Sequence, residues 1–170
     1  NYDVKSLELP GTLESIGSKA FNLPQLKKLT FTGHLNTGIK IADDAYTTGN
    51  LLDVTSTVNF TVDGNMDSND DPIDVSYSFH PGEKVLYVTG IENKGNGTEL
   101  QILGSIKLSN QFSADDCHLN GKLRGTNFTD VTVTDGLKKL GATGEEGEFA
   151  NCAKLNTVTL PKTFDMDKSS

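Results

Sequence analysis

The residues best equipped for chemistry lie in one acidic stretch, Asp63-Gly-Asn-Met-Asp-Ser-Asn-Asp-Asp-Pro-Ile-Asp74. Oxygen-bearing side chains fall at its first, third, fifth, ninth and twelfth places: Asp63, Asn65, Asp67, Asp71 and Asp74. Calcium takes about six to eight oxygen ligands, and a loop with such spacing can wrap one ion. Three features depart from the helical version of such loops. Ser68 stands where the sharp turn uses glycine, Asp70 stands at an apolar place, and Asp74 replaces a bidentate Glu. Excess acid in a loop is also the ordinary composition of a solvated turn, so both readings stand.

Other reactive side chains are sparse. His34, His80 and His118 are far apart in the chain and in unlike contexts, with no nucleophile placed beside one by sequence. Cys117 and His118 fall short of a zinc set. No glycine-rich phosphate loop follows a strand and opens a helix. These absences point to a protein that is not an enzyme. Asn59-Phe-Thr61, Asn96-Gly-Thr98 and Asn127-Phe-Thr129 match the N-glycosylation triplet, which matters in a secreted eukaryotic chain. The two cysteines, Cys117 and Cys152, are too few for a disulfide scaffold. They are either two buried thiols or a single bridge between neighbouring turns.

The charge sets limits on partners. A net charge of −8 over 170 residues argues against nucleic acid, which needs a basic stripe. No apolar run is long enough to span a membrane as a helix. Neither end carries an evident polar cap, which predicts a section of a larger protein or a chain that stacks on a neighbour.

The elements that must position these residues are repeats. Leu7 and Leu9 alternate before Pro10, and Leu26, Leu29 and Phe31 recur with the spacing of Leu155, Val158 and Leu160 before Pro161. Leu7 to Leu29 and Leu9 to Phe31 share one period. Ile41-Ala-Asp-Asp-Ala-Tyr46 mirrors Ile16-Gly-Ser-Lys-Ala-Phe21, and Leu51 and Val54 mirror Leu26 and Leu29. Val131, Val133, Leu137, Leu140 and Gly141 begin a further copy. A Leu-x-x-Leu-x-Leu pattern with a period of about 20–29 residues marks a leucine-rich repeat solenoid, whose turns bury their apolar sides only by stacking.

Two stretches, LPGTLESIGSKAFNLPQLKKLTF and GLKKLGATGEEGEFANCAKLNTVTLP, resemble the BspA-like leucine-rich repeats of bacterial and protist surface proteins. The family pattern is filled by Leu9-Pro10, Ile16-Gly17, Ala20-Phe21 and Leu26 in the first copy. In the last it is filled by Leu140-Gly141, Phe149, Cys152, Leu155 and Leu160-Pro161. A weaker copy lies at Phe112–Leu119. Leu23 replaces the usual cysteine in the first copy, and the last carries an extra loop, Ala142 to Glu148. The resemblance covers about 1–56 and 110–165.

The expected fold is mostly β, of the α/β leucine-rich repeat class: a right-handed solenoid with an irregular β-rich middle. Its parts are repeat coils over 1–56, degenerate coils or a β-rich insertion over 57–109, and repeat coils over 110–170. In the middle, Thr57–Val62, Ile73–Phe79, Lys84–Thr89, Glu99–Leu103 and Ser105–Leu108 have strand character. Asn93-Lys-Gly-Asn-Gly97 predicts a hairpin turn between two of them. Thr32–Gly38 is expected to be a glycine-rich turn.

The resemblance implies a cell-surface or secreted adhesion and binding module that recognises a host or neighbouring protein or glycan. Contact would come from outward strand residues: Lys27, Lys28 and Thr30 at one end, Asn156, Thr157 and Thr159 at the other. An ordinary solvated face is the alternative for these six. The alternative for the whole chain is a structural subunit that stacks end to end through its outer coils. No organic cofactor is implied, and calcium only through the acidic loop.

Overall fold

A computed structural model describes residues 4–46, 55–137, 147–162 and 164. Thirteen short strands and no helix occur among them. They are β1 (Ser6–Pro10), β2 (Ser15–Ile16), β3 (Lys28–His34), β4 (Lys40–Ile41), β5 (Thr57–Asp63), β6 (Ile73–His80) and β7 (Val85–Asn93). After these come β8 (Glu99–Ile102), β9 (Ile106–Lys107), β10 (Ser113–Ala114), β11 (Asp116–His118), β12 (Asp130–Val133) and β13 (Thr157–Thr159). The chain winds them into a β-solenoid of about five turns, as the repeat pattern predicts.

The repeat period becomes strand register. In the parallel pair β1–β3, Leu7 stands opposite Leu29 and Leu9 opposite Phe31. Ile16 and Ile41 pair in β2–β4. The Phe21 and Tyr46 rings stack with centroids 6.5 Å apart, so the Ala-Phe and Ala-Tyr slots of successive turns also meet. Although the turns differ in length, pairing returns each apolar side chain beside its equivalent, which gives the continuous core that a single turn cannot build.

β1, β3, β5, β6, β7 and β11 form a six-stranded sheet in that order. All its pairings are parallel except those that β6 makes with β5 and β7. Alternation assigns its two faces. Leu29, Val58, Phe79, Leu86 and Cys117 line up across the inner face, all buried. Full burial of such a side chain stabilises the fold by about 1.5–3 kcal/mol. Tyr46 stacks on Phe112 at 4.0 Å and its hydroxyl lies 3.1 Å from the Ser109 hydroxyl, tying the second turn to the middle of the chain.

A second sheet has the order β13-β12-β8, wholly parallel. It begins where the first ends: Asn65, just beyond β5, bridges Leu100 of β8. Gly64 sits at this corner, where a Cβ would lie 2.6 Å from the Gln101 carbonyl oxygen.

Several local expectations are revised. The segments flanking Asn93–Gly97 do not pair as a hairpin. β7 already has β6 and β11 on its two sides, so the turn sends the chain across to the second sheet. The hairpins lie instead between β5 and β6 and between β6 and β7. Thr32–His34 continues β3, with Gly33 at φ +67° and a register shift against β5 that absorbs the glycine. Both cysteines are free, Cys117 buried but Cys152 only partly so. Leu51 and Val54, Leu140 and Gly141, most of the 142–148 loop and the tail beyond 164 lie outside the described residues.

Candidate binding face and the acidic corner

Strand alternation points every second side chain of the six-stranded sheet away from the core. Register then sets these side chains in rows. One row crosses all six strands: Glu8, Thr30, Asn59, Ser78, Tyr87 and His118. Each is exposed or half-buried. The row offers a carboxylate, hydroxyls, an amide and two rings.

Tyr87 is the centre of a three-ring cluster. The His80 ring meets it edge-on at 5.1 Å, and the His118 ring lies at 4.9 Å on its other side. His80 Nδ1 is 3.1 Å from the Ser56 carbonyl oxygen, and His118 Nε2 is 3.6 Å from an Asp116 oxygen. The solenoid therefore joins two histidines that the sequence shows as remote. Only the inter-strand register could have revealed this, since β7 and β11 are not consecutive.

The six outward residues expected to bind lie at two different sheets. Lys28 and Thr30 lie on β3 of the first sheet, with Lys27 just before it. Thr157 and Thr159 lie on β13 of the second sheet, with Asn156 just before it. Lys27, Lys28, Asn156, Thr157 and Thr159 are exposed, and Thr30 is half-buried between Glu8 and Asn59. Of the glycosylation triplets, Asn59 stands in the central row, whereas Asn96 and Asn127 line a cleft beside the second sheet.

Of the five acidic-loop residues, Asp63, Asn65 and Asp67 brace the corner with their side chains. Asp63 Oδ1 accepts hydrogen bonds from the Asn65 N–H at 2.8 Å and the Ile73 N–H at 3.1 Å. Asn65 Oδ1 accepts from the Asp67 N–H, and its Nδ2 donates to the Asp71 carbonyl, both at 2.8 Å. Asp67 Oδ2 accepts from the Thr98 and Glu99 N–H groups at 2.7 and 3.2 Å. Asp70, which the spacing leaves out, takes the Asn96 N–H with both oxygens. Asp71 is exposed and adds its carbonyl rather than its carboxylate to the brace. Asp74 turns away to His34, with Nε2 and Oδ1 2.6 Å apart. The oxygens thus face backbone donors and a ring in different directions. Among the described residues no three His, Cys, Asp or Glu side chains gather as a metal would need.

The brace shifts two ionisations. Hydrogen bonds from the Thr98 and Glu99 backbone hold the Asp67 carboxyl below its usual range, the Thr98 bond most strongly. The negative charge of Asp67 pushes the neighbouring Glu99 carboxyl up.

No helix among the described residues is long and apolar enough to cross a membrane. No curated protein and no solved structure matches the chain. The family model of the BspA type leucine-rich repeat region matches in six copies, over residues 1–65 and 120–169. The unmatched middle holds β6, the one strand that reverses direction in the first sheet, together with β7–β11. Solenoids of this kind are typically scaffolds for binding rather than catalysis. With the model covering more than half of its residues, and with its repeats returning as strand register, this chain belongs to the BspA-type leucine-rich repeat family.

Proposed function

We infer that this chain is a non-enzymatic binding module of a cell surface or of the extracellular space, which recognises a protein or glycan through the outer face of its six-stranded sheet. The observation that carries this reading is the in-register row from Glu8 to His118, with the His80–Tyr87–His118 rings at its far end. Tyrosine is enriched at binding hot spots because it combines a rigid apolar ring with a polar tip. The row is held by main-chain pairing on rigid strands, so its side chains are pre-set and little ordering cost attends binding.

The test is binding of the labelled chain to immobilised extracellular proteins and glycans. Tyr87→Ala and Asn59→Arg should each weaken capture at least about tenfold, the scale of a lost hot-spot contact. Lys19→Ala, away from the face, should leave it unchanged. Equal capture by all variants would remove the sheet face from the reading.

A second reading is a structural subunit that stacks end to end. It draws support from β1 and β13, which stand at the ends of their sheets with Leu7, Leu9 and Val158 only partly buried. Light scattering over a concentration series separates the two. Mass that grows with concentration favours the subunit, and constant mass favours the binding module.

A further inference from the structure

The second sheet carries a polar column that the binding face does not include. β8, β12 and β13 align Glu99, Asp130 and Thr157. Three residues before each of these stand Asn96, Asn127 and Lys154, the equivalent position on three successive turns. All three are exposed, and all three line a cleft of about 430 Å³, with Ile91 and Phe128 contributing apolar surface. Adjacent strands lie about 4.8 Å apart, so the strands that these three residues lead into step along the solenoid axis at that interval.

The column is free to bind. The side-chain amides of Asn96 and Asn127 and the Lys154 ammonium have no hydrogen-bond or ion-pair partner among the described residues. Part of the nearby backbone is already committed. Thr129 N–H donates to the Thr98 carbonyl at 2.9 Å, and Asn156 N–H donates to the Thr129 carbonyl at 2.7 Å. The Asn96 and Thr98 N–H groups go to Asp70 and Asp67.

We propose that this cleft binds a short linear oligosaccharide laid along the solenoid axis, with a carboxylate-bearing sugar at the Lys154 end. Three observations choose the ligand. An asparagine amide both donates and accepts, as a sugar hydroxyl does, so neighbouring hydroxyls of one ring can be met by one side chain. A free ammonium in a chain of net charge −8 selects a local negative group, and a sugar carboxylate supplies it. The repeat along the axis matches a chain of similar rings better than a compact ligand, and the volume lies within the range of small-molecule sites.

The test is NMR titration of the isotope-labelled, unglycosylated chain with hyaluronan tetrasaccharide, chitotetraose and an extended neutral peptide. The side-chain amide signals of Asn96 and Asn127 should shift with the acidic tetrasaccharide at millimolar concentration, and less with chitotetraose. Asn127→Ala should weaken binding about tenfold, the scale of lost hydrogen bonds to a bound polar group. Lys154→Gln should bring the acidic sugar down to the level of the neutral one. All three positions are exposed, so the variants fold. Signals unmoved by both sugars, shifts that persist unchanged in Asn127→Ala, or a response to the peptide alone would each overturn the proposal. These signals are read apart from the Tyr87 row, so failure here and failure of the sheet face are distinguishable.

Discussion

The buried Tyr77 hydroxyl accepts a hydrogen bond from the Leu103 backbone N–H at 2.9 Å. Tyr77 lies on β6 of the first sheet, and Leu103 directly follows β8 of the second. This one bond spans the interior between the sheets and anchors the Tyr77 ring, which also stacks on Phe60 at 5.2 Å. Tyr77→Phe keeps the ring and strands the Leu103 donor. A loss of about 1–2 kcal/mol is expected, the cost of an unsatisfied buried donor. Urea unfolding of the two proteins checks it, and an unchanged midpoint would mean that water replaces the hydroxyl.

Acid should act on the corner in two opposed steps. The Asp67 carboxyl is held low by the Thr98 and Glu99 N–H groups. Its stabilising share is therefore present above the unfolded value of about 3.9, and is lost as pH falls through the lower folded value. Glu99 is pushed up by Asp67. Its protonated form favours folding, and that share disappears as pH rises through its raised folded value. Asp67→Asn should lower the Glu99 pKa and flatten the acid limb of the stability profile. Carboxyl titration by NMR reads both effects, which should shrink in high salt.

The two thiols should separate chemically. Burial, and next the Asp116 charge, pushes the Cys117 thiol up to about 12. At a given pH it then holds about a thousandfold less thiolate than an ordinary cysteine. Cys152 is partly exposed, and its S–H donates to the Leu123 carbonyl at 2.9 Å. An aromatic disulfide reagent should titrate one thiol in the folded chain and both in denaturant. Two fast thiols in the folded chain would contradict the burial of Cys117.

Gly104 and Gly136 should resist substitution. A Cβ on Gly104 would run into the Thr134 carbonyl oxygen, and one on Gly136 into the Gly104 carbonyl. Gly136 also has φ +130°. The obstacles are backbone atoms, which cannot rotate away as a side-chain tip does. Gly104→Ala should cost about 1–3 kcal/mol by overpacking. Thermal unfolding checks this, with Gly17→Ala, where a Cβ meets nothing, as the control.

Much of the fold is legible in the apolar residues. Leu7, Leu9, Leu29 and Phe31 announce both their strands and their partners, because a repeat period is a register once turns stack. The middle is less legible. Thr57–Val62 and Ile73–Phe79 show plainly as strands by alternation, but alternation is blind to direction, and β6 runs against its neighbours. The Asn93–Gly97 turn is marked by its residues and closed by the Asn93 side chain, which donates to the Gly97 carbonyl at 2.9 Å. Its destination depends on which strand edges are already occupied.

The candidate sites show the same division. The spacing of Asp63, Asn65, Asp67, Asp71 and Asp74 is visible in one dimension, yet Asp67 reaches the N–H groups of the distant Thr98 and Glu99, and Asp74 turns to His34. Asp70, passed over by the spacing, is a main strut. Tyr87 carries no motif, and it becomes the centre of a ring cluster only when β11 docks beside β7.

By itself, the sequence determined that the chain is a leucine-rich repeat solenoid and which residues build its core, because burial and repeat period are written in residue types at fixed intervals. The tertiary structure decided the sheet order, the reversal at β6, the bracing role of the acidic loop and the column Asn96–Asn127–Lys154. Those features depend on which distant backbone groups meet, and hydrogen bonds between strands are made by main-chain atoms that nearly every residue type supplies alike.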